Sequence, residues 1–230
     1  MADTTTTYAL TWDDTGKKIY ETGDKRGVLY VMDATGAYQS GVAWNGLVAV
    51  TESNSGADEN ALWADDIKYA SLRSAAEFGA TIEAYQCPEE FYICDGSATP
   101  VPGVIVNQQG RRGFGFSFTS TQGNDVLGTD YGEKIHLIYN ATASPSERAY
   151  QTINDSPDAI TLSWELTTTP ISVSGLKPTA HIIVDSTKFT TEAAKAKYEA
   201  FKAVIYGSGQ TQARLPLPDE VVTLLTVTNG

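Results

Sequence analysis

The stretch Ile160-Thr-Leu-Ser-Trp-Glu-Leu166 alternates apolar and polar side chains without a break. Because successive side chains of a β-strand point to opposite faces, the apolar residues share one face and Thr161, Ser163 and Glu165 share the other. The segment 133–140 has the same pattern. One apolar face and one polar face are typical of an antiparallel sheet that covers a core.

Most of the remaining chain also favours β structure, since Thr, Val, Ile and Tyr are abundant and Gly separates short alternating runs. The predicted strands are 8–12, 17–22, 27–32, 42–51, 66–74, 79–86, 112–120, 133–140, 160–168 and 179–185. We found no repeat and no low-complexity linker. The sequence therefore predicts a single domain, 1–230, that is mainly β.

One main helix is predicted at 190–206, where apolar residues recur at helical spacing. Thr190 or Thr191 can cap its start, and Gly207 can end it. A shorter helix is predicted to open at Pro218, within the C-terminal segment 215–230. The fold class is thus α+β, and Pro88–Asp95 could add one irregular helical turn.

The segment 52–64 is predicted to be a long polar hairpin loop between two strands. It is longer than ordinary hairpin connections, and long ordered loops are often functional. Asn54, Ser55 and Gly56 are turn-forming residues, so they are predicted at its tip.

The chain carries 16 Lys+Arg against 28 Asp+Glu, a net charge of −12. Residues 1–100 hold 16 acids and 6 bases, so ten of the twelve excess charges lie there. This charge argues against tight binding of nucleic acid and against anionic membranes. No apolar run is long enough for a transmembrane helix, and Met1–Thr7 lacks the pattern of a signal peptide.

The sequence contains no recognisable catalytic or cofactor motif. Its two histidines, His136 and His181, are far apart in sequence, and no G-x-S-x-G motif is present. Cys87 and Cys94 do not have the spacing of a zinc-binding pair, so they are predicted to be structural thiols. We expect no enzyme activity, no cofactor and no metal.

Arg112-Gly-Phe-Gly-Phe116 matches the start of an RNA-recognition motif. The match fails at Thr119, which stands where an aromatic residue is required, and the surroundings are acidic. We interpret this segment as a core strand with one aromatic face. Its Gly/Ser face could admit a close neighbour or line a smooth passage.

Several stretches together resemble the major tail proteins, or tail tube proteins, of long-tailed (siphovirus-type) bacteriophages and prophages of Gram-positive bacteria. No single stretch carries a mechanism, and the resemblance lies in their order and spacing over most of the chain. They are Gly41-Val-Ala-Trp-Asn-Gly46, Ala64-Asp-Asp-Ile-Lys-Tyr69, Glu77-Phe-Gly-Ala-Thr-Ile-Glu-Ala84, Pro88-Glu-Glu-Phe91, Cys94-Asp-Gly96, Gly128-Thr-Asp-Tyr-Gly132, Lys134-Ile-His-Leu137, Ile153-Asn-Asp-Ser-Pro157, Trp164-Glu-Leu-Thr-Thr-Thr-Pro170 and Leu215-Pro-Leu-Pro-Asp-Glu-Val221.

The resemblance implies two packed antiparallel β-sheets, sandwich- or barrel-like, with a flanking helix. It implies a structural subunit of the virion that is made in the host cytoplasm. Hexameric rings of the subunit would stack into a tube through which DNA passes without tight binding. The implied partners are other copies of the chain, the tape-measure protein, the tail terminator, and distal tail or baseplate proteins.

The resemblance also assigns roles to parts of this chain. Met1–Thr7 would be an N-terminal arm, and the 52–64 loop would bridge neighbouring subunits or rings. The bridging candidates are Asn54, Ser55, Gly56, Asp58, Glu59 and Trp63. The candidates for acids that face the lumen are Glu52, Asp65, Asp66, Glu83 and Glu165.

An alternative interpretation, from the class of binding proteins, is a β-sandwich module that binds carbohydrate or a receptor. Trp44 or Trp63 would then be its stacking platform. Trp44 lies between apolar neighbours and suggests packing, whereas Trp63 follows an acidic segment and is the better candidate for exposure.

Overall fold

The computed structural model describes residues 10–145, 148–153, 155 and 158–227. The N-terminal arm expected at Met1–Thr7 lies outside the described residues, as does part of the 153–157 segment. Within the described ranges the chain is mainly β with few helices. None of those helices combines the length and apolar character needed to cross a bilayer.

The described part of the chain contains fourteen strands and three α-helices. The strands are β1 (Ile19–Val31), β2 (Val42–Trp44), β3 (Leu47–Glu52), β4 (Ser55–Gly56), β5 (Glu59–Ala64), β6 (Ile67–Arg73), β7 (Ala76–Glu77), β8 (Gly79–Ala84), β9 (Ala98–Val101), β10 (Val104–Val106), β11 (Phe114–Asn124), β12 (Gly128–Pro145), β13 (Leu162–Thr168) and β14 (His181–Asp185). The helices are α1 (Tyr92–Asp95), α2 (Glu192–Tyr206) and α3 (Pro218–Leu225).

The main sheet is antiparallel and has the strand order β2-β1-β11-β12-β13-β8-β3, with β14 also paired to β12. Strand β12 is 18 residues long, and it pairs with β14 through 134–138 and with β13 through 141–145. This long strand joins both parts into one continuous path, and the expected sandwich- or barrel-like packing of two sheets is not confirmed. Among the described residues, the strands of this sheet do not close into a barrel.

The first hydrophobic core is formed by side chains from one face of this sheet together with Phe91 and Cys94 from the helical segment beside it. Phe114, Phe116 and Phe118 of β11 are all buried there. Trp44 lies edge-on to Phe116, with ring centroids 5.5 Å apart, and edge-on to Trp164 at 5.6 Å. Each such pair contributes about 0.5–1.5 kcal/mol beyond area burial. The aromatic face of the 112–120 segment is thus core, and it is not available to stack on bases.

The second hydrophobic core lies on the other face of β1 and β12, beneath the helices. Alternation along β1 sends Leu29 into the first core and Tyr30 into the second. The helical residues Tyr198, Phe201 and Ile205 are buried against this face. Both predicted helices are present, and the Thr191 side chain caps α2 by accepting a hydrogen bond from the Ala194 amide.

The small-residue face of β11 lies under this helical layer. A β-carbon built on Gly115 would lie 2.2 Å from Leu215 Cδ2, so glycine permits the close approach. Thr119 Oγ1 and the Tyr206 hydroxyl form a hydrogen bond of 2.6 Å. This face therefore admits a close neighbour, the first of the two roles expected for it.

Several strand bounds differ from the expectations. The segments 17–22 and 27–32 merge into β1, which keeps pairing with β11 through two irregularities. The predicted strand 42–51 is broken at Asn45–Gly46, where Gly46 adopts a φ of 76°. No strand is present at 10–12, the described part of 8–12. The β9–β10 hairpin was not predicted.

Candidate functional site: an exposed hairpin and a polar sheet face

Residues 53–78 form a hairpin, here called the arm, that is inserted between β3 and β8 of the main sheet. Its root is the β4–β7 pair, and its outer part is the β5–β6 pair. The Ser53 amide donates a hydrogen bond of 2.8 Å to the Gly79 carbonyl, which joins the arm to the main sheet.

The arm corrects the prediction of a polar loop at 52–64. That segment contains β4 and β5, and its strands pair with residues that follow it in sequence. The turn falls at Asp65–Asp66, with φ of 52° and 60°, so the tip is not at Asn54–Gly56. Two consecutive positive φ angles are typical of a two-residue type I′ turn, in which Asp is well tolerated.

The proposed bridging residues are spread along the arm. Ser55 and Gly56 pair with Glu77 and Ala76 at the root. Glu59 accepts hydrogen bonds from Lys68 and Ser71 across the β5–β6 pair. Asn54 and Asp58 are exposed next to β4, and Trp63 is exposed near the tip.

The outer part of the arm exposes large apolar side chains. Trp63 is 69% exposed and Tyr69 is 74% exposed. Leu62, Ile67 and Leu72 are also exposed. A two-stranded hairpin is only marginally stable in water, and clustered exposed apolar residues mark interaction surfaces. The arm thus has the composition of a contact surface.

A second feature is the outer face of β12, β13, β8 and β3, on the side of the sheet opposite the first core. Its residues are mostly small and hydroxyl-bearing, and we call it the polar face. They are Thr51, Thr81, Glu83, Thr142, Ser144, Ser163, Glu165 and Thr167. The segments 47–52, 79–84, 141–145 and 162–168 that carry it contain no Lys or Arg.

The structure separates the five acids proposed for the lumen. Glu83 and Glu165 lie on the polar face, where Glu83 is paired with Ser163 and Glu165 with Thr81. Asp65 and Asp66 lie at the tip of the arm. Glu52 is paired with Ala80, a residue of the first core, so its side chain points to the inner side of the sheet.

On that inner side, Glu52 meets both histidines. Glu52 Oε1 lies 3.6 Å from His136 Nδ1 and 3.8 Å from His181 Nε2, and the two ring nitrogens are 3.2 Å apart. The β12–β14 pairing places His181 opposite Ile138, so both histidines project from the same face. Phe118 stacks on His136 at 4.4 Å, and Phe78 packs on His181 at 4.3 Å.

Burial governs the protonation of this group. It lowers the pKa of His181 to about 4, an effect increased by His136. Burial also lowers the pKa of His136, against the opposing charge of Glu21. The pKa of Glu52 is raised by burial and by Glu21. Both imidazoles are therefore neutral near pH 7.

Ser120, His136 and Glu52 lie in an order that resembles a catalytic triad, since Ser120 Oγ is 3.1 Å from His136 Nε2. However, the Ser120 hydroxyl donates a hydrogen bond to the Glu21 carboxylate, so its hydrogen is not directed at the histidine. A nucleophile needs its proton taken by the base. This arrangement favours a role for Ser120 in orienting its neighbours.

The cysteines lie apart from this group. Cys94 is buried and Cys87 is half-buried, and neither is in a disulfide. Burial raises the pKa of Cys87 to about 11 and that of Cys94 to about 12. Both thiols are therefore protonated at neutral pH, in keeping with the structural role expected for them.

No family model matches the chain, and no curated protein matches it. Among solved structures it is similar to a chain of the sheath–tube complex of the extracellular contractile injection system PVC in the extended state. That match has 16% identity, covers 70% of this chain and 88% of that chain, and has a TM-score of 0.28. A chain of the anti-feeding prophage baseplate matches with 7% identity, coverage of 69% and 92%, and a TM-score of 0.30. TM-scores this low carry no argument about function.

Proposed function

We propose that this chain is the structural subunit of a phage-type tail tube. Its rings, hexameric as the sequence resemblance implies, would stack around an acidic lumen that conducts genomic DNA. The observation that carries the proposal is the arm, a two-stranded hairpin whose large apolar side chains are exposed in the single chain. The ordered resemblance along the sequence supports the same assignment.

The arm supports assembly because its apolar side chains need a partner. Trp63 and Tyr69 are aromatic residues of the kind that anchor protein interfaces. A second copy of the chain is the partner proposed here. Contact between the arm of one subunit and a different surface of the next is head-to-tail, and such contacts generate rings and filaments.

The polar face supports a role as the wall of the lumen. Glu83 and Glu165 give it negative charge, and the strand segments that carry it hold no basic residue. DNA binding depends on Lys and Arg that neutralise phosphates. A wall of this composition would let DNA pass without holding it. Glu83 and Glu165 are the lumen acids in this proposal.

The proposal includes other partners and a location. The tube would contact a tape-measure protein inside, a terminator at one end, and distal tail or baseplate proteins at the other. The subunit would assemble in the host cytoplasm and become part of the virion. The 1–230 chain would act as one tail tube domain, with Met1–Thr7 as a second bridging segment.

Negative-stain electron microscopy of the purified protein over a range of concentrations tests this proposal. We expect rings or tubes with a central channel, formed at high concentration or after a tail-tip complex is added as a seed. A chain that stays monomeric at high concentration and with the seed would exclude the assignment.

A carbohydrate- or receptor-binding module is the second candidate, and the exposure of Trp63 is the observation in its favour. Trp44 cannot serve as its platform, because it is buried and donates a hydrogen bond of 2.8 Å to the Gln86 carbonyl. Saturable glycan binding that is lost in W63A, by a protein that forms no rings, would favour this candidate.

A further inference from the structure

We propose that Glu52, His136 and His181 form a binding site for one divalent transition-metal ion, with zinc as the best fit. Within the described residues, one ligand atom from each of these side chains lies within 4.8 Å of the others. The three residues come from β3, β12 and β14, so only the folded chain assembles the group.

The distances fit an ion at the centre of the three atoms. Zinc binds His nitrogen and carboxylate oxygen at about 2.0–2.2 Å in tetrahedral geometry, which places neighbouring ligands roughly 3.3–3.6 Å apart. The three separations here are 3.2, 3.6 and 3.8 Å. Small side-chain adjustments would therefore bring all three atoms to bonding distance.

The ligand chemistry also fits. Two imidazoles and one carboxylate are a donor set that zinc uses when a fourth position stays open for water. Neutral imidazole is the form of histidine that metals bind. A cleft of about 400 Å³ lined by Thr22, Glu52 and His136 gives a route for the ion and its water.

His136 has the outer partners that a metal-binding histidine usually has. Its second nitrogen, Nε2, is 3.1 Å from Ser120 Oγ and 3.6 Å from Glu21 Oε1. When Nε2 carries the proton and donates it to this pair, Nδ1 presents its lone pair to the group. A carboxylate or hydroxyl partner on the far nitrogen orients a ligating histidine in this way. Lys134 pairs with Glu21 and holds that carboxylate in place.

The site would stabilise the root of the arm. Glu52 is the last residue of β3, and Phe78, which packs on His181, directly precedes β8. An ion held by Glu52 and the two histidines would thus tie the point where the arm leaves the sheet to β12 and β14. This proposal does not depend on tube assembly, and its test uses the unassembled protein.

The test is zinc binding by the full-length protein without a histidine tag, after EDTA treatment and dialysis. Titration calorimetry and elemental analysis should give about one zinc ion per chain, and zinc should raise the Tm by a few degrees. E52Q and H181N should each weaken binding at least tenfold, and E21Q should weaken it about 10- to 100-fold. E165Q, which removes an acid from the polar face, should bind as the wild type does.

Binding of cobalt(II) gives an independent test of the same site. Its visible absorption bands in the wild-type protein should report nitrogen and oxygen ligands in low coordination number, and these bands should be lost in E52Q. Because Glu52 is partly exposed, E52Q should fold normally, which circular dichroism checks. Zinc binding below one ion per chain, or binding that E52Q and H181N leave unchanged, overturns the proposal.

Discussion

The Tyr30 hydroxyl donates a hydrogen bond of 2.9 Å to the main-chain carbonyl of Ile205, and this bond joins the end of β1 to the end of α2. Both residues are fully buried in the second core. The bond satisfies a carbonyl in the last turn of the helix, where no amide of the helix is in position to do so. It is one of the polar contacts that fix the helical layer on the sheet.

Tyr30→Phe should destabilise the fold by about 1–3 kcal/mol, because it leaves the buried Ile205 carbonyl without this donor. Chemical denaturation measures the change in free energy of unfolding. Tyr150→Phe is the matched control, since Tyr150 is exposed, and it should be neutral. If the two substitutions change the free energy of unfolding equally, the Tyr30 hydrogen bond does not stabilise the fold as proposed.

Gly115→Ala should also destabilise the fold, by about 1–3 kcal/mol, because the added methyl group would meet Leu215 at 2.2 Å. Leu215 or the segment before α3 would have to move. Gly110→Ala is the control, as a β-carbon there has no atom within 4 Å and the φ angle is ordinary. Thermal unfolding should show a lower Tm for the first variant only.

Acid should weaken the contact between β12 and α2. Glu133 is half-buried, and burial alone would raise its pKa, but hydrogen bonds from Lys202 and Tyr198 and the charge of Arg26 lower it overall. A folded-state pKa below the unfolded value means that this contribution is full above the unfolded pKa. It is then lost as the pH falls through the folded value.

Glu133→Gln should therefore be less stable than the wild type near pH 7, and the difference should shrink as the pH falls below about 4. Denaturation curves between pH 3 and pH 7 measure this convergence. A difference that stays constant with pH would exclude the ion-pair explanation for Glu133.

Trp63→Ser should raise the protein concentration needed for assembly about tenfold or more, since buried aromatic anchors contribute strongly to interfaces. The Tm of the unassembled chain should hardly change, because Trp63 is exposed there. Leu176→Ser removes an equally exposed apolar residue outside the arm and serves as the control. Light scattering and electron microscopy measure assembly.

Replacing Glu83 and Glu165 by Lys should leave assembly intact but make the tubes retain DNA at low salt. Each new Lys can neutralise a phosphate and release counterions, so retention should fall steeply as salt is raised. Wild-type tubes are the reference. If DNA passes through the variant tubes as readily as through the wild-type tubes, an electrostatic role for the polar face is excluded.

Local sequence patterns were enough for most of the fold. Alternation predicted β13 and the centre of β12, and helical spacing with a Thr cap predicted α2. Strand β6 lies within the strand predicted at 66–74, but β4 and β5 were missed because the turn-forming and polar residues of 53–60 favour a loop. Asp65–Asp66 forms its turn through positive φ angles, which Gly or Asn would have signalled more strongly.

The group of Glu52 with the two histidines was missed for a different reason. Its members are 84 and 45 residues apart in sequence, and only the pairing of β12 with β14 brings the histidines together. The side on which Glu52 points depends on the register between β3 and β8, which a one-residue shift would reverse. Alternation, by contrast, was sufficient to predict the outward orientation of Glu83 and Glu165.

The insertion of the arm into the main sheet has a mechanical consequence. Strand β3 leads into the arm and β8 leads out of it, and the Ser53–Gly79 hydrogen bond continues their pairing past the last residue of β3. A force that pulls on the arm would therefore act along the paired strands β3 and β8 and would change their tilt. A neighbour bound to the arm would thus also change the tilt of β3 and β8, which carry part of the polar face.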